Sequence, residues 1–272
     1  MTKKTIFAYI VLIGCIVLLA GSYLQWKEKL SSFHGDTAKT AASNDNKKTA
    51  SDDSDKSKSI DERERLLSLI KHQDEAVQAV FLNRFDDGEP VKFLLVGSNV
   101  MEDGNPGYAE RLDNALKKIY GTSIETTIIS YNGTSDKFMN DAEIDFAEGY
   151  DVILFEPFTL KNNGNVTIED ERAHILQFHE QLVSAVEDAV LILHPPQPVH
   201  NARYYPTQID SLQAFAKENN FPYINHWADW PDFDSDEFLD YVNEDGAPNN
   251  EGADIWANAL IEYFIAEKME EE

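Results

Sequence analysis

The chain has 272 residues, of which 42% are hydrophobic, so it is long enough for one sizeable globular domain with attached segments. Its 49 acidic and 23 basic side chains give a formal net charge of -26. This charge argues against nucleic acid as a partner, because binding phosphates requires clustered lysine and arginine. The single cysteine, Cys15, excludes an internal disulfide and a thiolate metal cluster.

The first thirty residues contain a near-continuous apolar run that extends from Thr5 to Leu24 and follows two lysines. About twenty residues at helical rise span the hydrocarbon core of a bilayer. We therefore expect residues 1–30 to form an uncleaved transmembrane helix, with the rest of the chain outside the cell. The alternative is a lipoprotein anchored at Cys15, because Leu12-Ile13-Gly14-Cys15 resembles a bacterial lipoprotein box.

Residues 31–61 are small, polar or charged, with almost no large apolar side chain. Such a segment cannot bury enough surface to order itself. We expect a disordered polar stalk that spans about 30 Å on average as a flexible coil. It would hold an extracytoplasmic domain of residues 62–272 clear of the membrane.

Short apolar runs alternate with helical periodicity through residues 62–272. The apolar spacing from Leu66 to Phe81 predicts one helix that packs on the outside of the domain. Thr167 and Asp170 form a plausible capping pair at the start of a later helix. Strands that alternate with helices indicate an α/β fold with a mainly parallel sheet, covered on both faces. Five apolar runs predict strands: Lys92–Val96, Glu125–Ser130, Asp151–Phe155, Ala189–Leu193 and Pro222–Asn225.

The loops that follow the predicted strands are unusually polar. Ser98 follows the first strand, Gly133 the second, and Asn162 and Asn163 lie after the third, while Asp245 precedes the last helical pattern. Because the carboxyl ends of parallel strands meet at one edge of a sheet, these residues can converge there. Acyl transfer uses a nucleophile such as serine, together with backbone and asparagine amides that donate to the developing oxyanion.

The order of these blocks resembles the SGNH/GDSL hydrolase family of esterases, lipases, carbohydrate deacetylases and related acyltransferases. The resemblance implies a three-layer, flavodoxin-like α/β/α sandwich with a five-stranded sheet of order 2-1-3-4-5. It implies that Ser98 is the nucleophile, although Gly97-Ser98-Asn99 replaces the usual Gly-Asp-Ser order. It also implies that Gly133 donates its amide to the oxyanion hole, with Asn162 or Asn163 as the third-block asparagine; Glu156 stands where that block has a glycine.

The last block departs from the family. The family has Asp-x-x-His there, with histidine as the general base, whereas Asp245 is followed three residues later by Pro248, which cannot accept a proton. His194 and His226 lie near the ends of the fourth and fifth predicted strands. Strands are about 4.8 Å apart, so the fourth lies roughly 10 Å from the first. We expect both histidines to be packing residues.

Together these features predict an extracytoplasmic SGNH-type serine esterase or acylhydrolase acting on O-acyl groups of cell-envelope glycans. The alternative is a module of the same fold that has lost its base and binds an envelope glycan or a partner protein. We expect no cofactor and no metal, because the sequence has no phosphate-binding glycine loop, zinc-type histidine spacing or regular calcium loop. The net charge predicts a monomer.

Overall fold

A computed structural model describes the backbone of residues 52–266 and the side chains from Ile60 onward. The predicted transmembrane segment and Cys15 lie outside the described residues. Within the described range, no helix combines the length and the apolar character needed to cross a bilayer.

Two helices precede the first strand, where the sequence predicted one: α1 (Asp52–Leu69) and α2 (Glu75–Asp87). The intervening turn is tied to the C-terminal helix, because the Tyr263 hydroxyl donates to the Asp74 carboxylate at 2.7 Å. Their apolar side chains are buried in the core rather than attached to its outside. Helix α1 includes residues 52–61 of the predicted stalk, and the extent of the stalk stays a prediction.

The central sheet has four parallel strands in the order β2-β1-β3-β4. This confirms the parallel α/β sheet, but the prediction of five strands is wrong. At Pro222–Asn225 the chain makes only one bridge to β4, between Leu193 and Tyr223. Pro222 has no N–H to donate, and the chain turns into a short 3₁₀ helix at His226, so the pairing stops there. The strands are β1 (Val91–Ser98), β2 (Ile124–Tyr131), β3 (Val152–Phe155) and β4 (Val190–Leu193).

Helices cover both faces of the sheet. Phe93 and Leu95 of β1 face a core shared with α1 and α2, while Leu94 and Val96 face a second core. The three-layer prediction is thereby confirmed. Thr167 caps its helix as predicted, since its hydroxyl accepts from the Asp170 amide. The remaining helices are α3 (Tyr108–Tyr120), α4 (Ser135–Asp141), α5 (Thr159–Asn162), α6 (Ile168–Ala185), α7 (Tyr205–Glu218) and α8 (Asn250–Phe264).

A buried ion pair fastens α2 to the amino-terminal edge of the sheet. The guanidinium of Arg84 donates to both carboxylate oxygens of Asp151, at 2.6 and 3.0 Å. The same carboxylate accepts from the Lys92 amide at 2.8 Å, so it joins the starts of β1 and β3. Only 4% of the Asp151 side chain is exposed. A buried charge with three donors is stabilising where a buried charge without them would be costly.

Three rings form a stack beneath the carboxyl edge of the sheet. Trp256 lies between Tyr108 and His226, with ring centroids 4.0 and 4.4 Å away. His226 Nδ1 accepts from the indole of Trp230 at 3.1 Å, and Nε2 lies 2.8 Å from the Pro195 carbonyl oxygen. Because an indole only donates, the His226 proton is on Nε2 and the ring is neutral. Burial lowers the pKa of His226 well below its usual value.

We predict that Asp151→Asn lowers the free energy of unfolding by roughly 2–4 kcal/mol, because it leaves Arg84 without its buried charged partner. Glu89→Gln is the matched control. Glu89 contacts the same guanidinium at 2.5 Å but is 61% exposed, and exposed pairs contribute about 1 kcal/mol or less. Urea unfolding of both variants tests this, and equal losses would contradict it.

We also predict that stability falls as the pH drops below 6.5, in part through His194. Burial lowers the pKa of His194 from 6.5 to about 3. In that window the unfolded state binds more protons than the folded state, so unfolding becomes easier as pH falls. Replacing His194 by Gln should therefore reduce the pH slope of the unfolding free energy by up to about 1.4 kcal/mol per pH unit. Urea titrations at several pH values measure the slope, and an unchanged slope contradicts the prediction.

Candidate functional site

A cavity of about 370 Å³ opens at the carboxyl edge of the sheet. The loops that follow β1, β3 and β4 converge on it, together with the loop before α8. Ser98 and Asp245, two of the predicted site residues, both line it. Histidine is absent from the described residues that line this cavity. The described residues that line the cavity are Ser98, Asn99, Val100, Asp103, Leu160, Lys161, Gln197, Asn243, Asp245 and Ala247.

Ser98 is the last residue of β1 and is 2% exposed. In the neighbouring strand its register partner is Tyr131. A 3₁₀ helix, Asn99–Glu102, begins at the next residue. The end of the strand therefore delivers the serine to the wall of the cavity, as the sequence pattern predicted.

Glu156 lies directly behind Ser98, one residue beyond β3. It is 1% exposed, and its Oε2 accepts from the Ser98 amide and its Oε1 from the Phe158 amide, each at 2.8 Å. Burial raises the pKa of Glu156, and the hydrogen bonds from Ser98 and Phe158 partly offset the increase. Gly97 leaves room for it, since a Cβ there would lie 3.1 Å from the Glu156 Cβ.

Gly133 lies two residues beyond Tyr131, the register partner of Ser98. A Cβ at this position would lie 2.5 Å from the Tyr131 ring, so the turn requires glycine. The structure therefore brings Gly133 to the strand end beside that of Ser98, although it does not line the cavity.

Asn162 is buried in a separate hydrogen-bond network. Its Oδ1 accepts from the Ser135 amide at 2.8 Å, and its Nδ2 donates to Glu171 Oε2 at 2.7 Å and to the Pro157 carbonyl at 3.4 Å. Both protons of the Asn162 amide therefore have acceptors. Asn163 is exposed. Neither asparagine lines the cavity beside Ser98.

Two carboxylates, Asp103 and Asp245, also line the cavity. Asp245 is exposed and Asp103 is half-buried. Burial raises the pKa of Asp103, and Lys161 opposes this while Asp245 adds to it. Asp245 thus lines the cavity, and no sequence motif pointed to Asp103 or Lys161.

The two histidines considered as bases, His194 and His226, are buried and do not line the cavity. A different pair, Ser135 Oγ and His174 Nδ1, lies at hydrogen-bond distance, 2.9 Å, but outside the cavity lining. Ser135 and His174 are 39 positions apart in the sequence, so no local motif joins them. Among residues 52–266, no group of three or more His, Cys, Asp or Glu side chains is placed to hold a metal ion.

Comparison by sequence gives no relatives: no protein-family model matches the chain, and no curated protein matches it. Solved structures do match. A GDSL-like lipase from Parabacteroides merdae superposes with a TM-score of 0.54 at 14% identity, over 64% of this chain and 94% of that one. An acetylxylan esterase from Geobacillus stearothermophilus gives 0.51 at 16% identity, over 64% and 93%. A protein from Desulfitobacterium hafniense, described as lipolytic and of the G-D-S-L family, gives 0.50 at 17%, over 64% and 99%.

These matches span 93–99% of the other chains. At 14–17% identity, this structural likeness establishes the fold alone. The chain therefore has the α/β fold of the SGNH/GDSL hydrolases.

Proposed function

We propose that the cavity is the active site of an SGNH-type ester hydrolase in which Ser98 is the nucleophile. The observation that carries the proposal is the position of Ser98, at the carboxyl end of the first strand in the wall of a 370 Å³ cavity. The buried Glu156 carboxyl group supports the same role, because it accepts from the Ser98 amide at 2.8 Å and so lies beside the serine. A serine attacks an ester only when a neighbouring group can take its proton.

The developing oxyanion would be stabilised mainly by amides outside the Ser98 residue itself. The Ser98 amide is engaged by Glu156, so the Gly133 amide and the Asn163 side chain are the donors that remain of those the resemblance implies. Asn163 is exposed and open to a ligand, whereas Asn162 would first have to leave Glu171. Each such donor contributes on the order of 3 kcal/mol to transition-state stabilisation.

We further propose that the ester is an O-acyl group on a cell-envelope glycan, and that the domain acts outside the membrane. Support for the substrate comes from the polar cavity lining and from the shared fold with an acetylxylan esterase. Support for the location comes from the apolar segment of residues 1–30. The net charge of -26, which argues against nucleic acid as a partner, also supports a monomeric domain.

The proposal predicts that the full chain hydrolyses a short-chain aryl ester or an acetylated xylo-oligosaccharide, and that Ser98→Ala lowers kcat/KM by about 10³–10⁴ or more. Steady-state assays on both substrates measure this. Ser184→Ala is the control, because Ser184 is an exposed residue of α6 that donates to the Glu180 carbonyl. Equal rates for wild type and Ser98→Ala would contradict the proposal.

A second function, ligand binding without hydrolysis, is favoured by one specific observation. Two of the implied oxyanion donors, the Ser98 amide and the Asn162 side chain, are bound by buried glutamates. In this case calorimetric titration would show an acetylated xylo-oligosaccharide binding to wild type and to Ser98→Ala alike, with no acetate released by either.

A further inference from the structure

We propose that Glu156 is the general base for Ser98, in the place of the histidine that the last block lacks. The inference rests on the proposed function, and it assigns a residue that the family pattern does not use. Its basis is the position of the Glu156 carboxyl group relative to the nucleophile.

The sheet register places Glu156 beside Ser98. Val96 of β1 pairs with Phe155 of β3, and the Glu156 amide donates to the Val96 carbonyl at 2.9 Å. Glu156 is therefore the first residue beyond the pairing, next to the last two residues of β1. Its side chain turns towards Ser98 and not towards solvent, since it is 1% exposed.

The carboxylate has the capacity to accept the serine proton. An ionised carboxylate has about four lone-pair sites. The amides of Ser98 and Phe158 take one site on each oxygen, so a site on each oxygen remains for the proton of the Ser98 hydroxyl. The two amide bonds fix the carboxyl group, so it does not have to be ordered when the reaction begins.

The groups that face Glu156 come from three helices. Tyr108 of α3 and Glu156 both approach Gly97. A Cβ at Gly97 would lie 3.3 Å from the Tyr108 hydroxyl and 3.4 Å from Glu156 Oε2. Glu171 of α6 raises the pKa of Glu156 further, and the charge of Glu156 raises the pKa of Tyr205 of α7. These surroundings favour the protonated form of Glu156 over the ionised form. The ionised Glu156 is therefore a stronger base than the carboxylate of an ordinary glutamate.

The reaction balances with these groups alone. As Ser98 Oγ forms a bond to the ester carbonyl carbon, its proton passes to Glu156 and the carbonyl electron pair moves to the oxygen. Collapse of this intermediate breaks the bond to the alcohol, which leaves with the proton from Glu156. Water then attacks the acylated Ser98, gives its proton to Glu156, and releases the carboxylic acid as Oγ recovers the proton.

The test compares the full chain, purified in non-ionic detergent, with Glu156→Gln and Glu156→Asp on the aryl ester across a range of pH. We expect Glu156→Gln to lower kcat/KM by about 10²–10⁴. In wild type kcat/KM should rise with pH through the ionisation of Glu156, above the usual range of a glutamate, and Glu156→Gln should lose this rise. Glu156→Asp should keep the rise at a lower rate, and it replaces Glu156→Gln in the test if that variant does not fold.

Asp151→Asn is the matched control. Asp151 is also buried and accepts backbone and side-chain hydrogen bonds, but it lies at the opposite end of β3. Its kcat/KM per folded molecule should stay within about twofold of wild type. Ser98-dependent hydrolysis that survives in Glu156→Gln, or that keeps its pH rise there, overturns the inference and leaves the proposed function standing. Absence of Ser98-dependent hydrolysis in wild type overturns both.

Discussion

Burial of the Glu156 carboxyl group at the end of β3 is the constraint on which the candidate site depends. A carboxyl group without partners in this position would be strongly destabilising, so the surrounding backbone has to supply donors. The chain does so by bending after Pro157, which brings the Phe158 amide back to Oε1. Phe158 adopts φ 63° there, a left-handed conformation that costs about 1–3 kcal/mol for a residue with a side chain. The hydrogen bond and the fully buried Phe158 ring offset that cost.

A second buried glutamate organises the other end of the same loop. Glu171 accepts from the Thr159 hydroxyl at 2.9 Å and from the Asn162 amide at 2.7 Å, and it pairs with Arg172. Burial raises the pKa of Glu171, and the charge of Arg172 opposes the increase. Two buried carboxyl groups therefore hold the segment from Glu156 to Glu171, in addition to the short helix α5. This explains why Asn162 faces inward while its neighbour Asn163 faces solvent.

The sequence predicted those features that depend on local pattern. Strands β1, β3 and β4 are short runs of buried apolar residues, and their positions follow within a few residues from composition alone. The Pro222–Asn225 run has the same composition, but the missing proline donor and the turn at His226 limit it to one bridge. Val77 lies seven positions after Ile70, which is the spacing of two helical turns. The apolar periodicity therefore continues across the break between α1 and α2.

Glu156 was recognised only as a departure from the family pattern. Its partner, the Ser98 amide, is 58 residues away, and a backbone amide has no side-chain identity that a sequence pattern could register. The same reason applies to Asn162, whose Oδ1 accepts from the backbone amide of Ser135, 27 positions earlier in the sequence. Ser98 and Asp245 could be predicted because their places, after a strand and before a helix, are defined by the order of elements.

The two ends of β3 differ in their balance of charge. At its start the charge of Asp151 is neutralised by Arg84, whereas the partners of Glu156 that hydrogen-bond to it, Ser98 and Phe158, are neutral. An ionised Glu156 therefore adds an uncompensated negative charge behind a cavity whose wall already holds Asp103 and Asp245 against the single cation of Lys161. Anionic molecules would be repelled from this end of the sheet, and the net charge of -26 extends the repulsion to the approach through solvent. An uncharged ligand does not meet this repulsion.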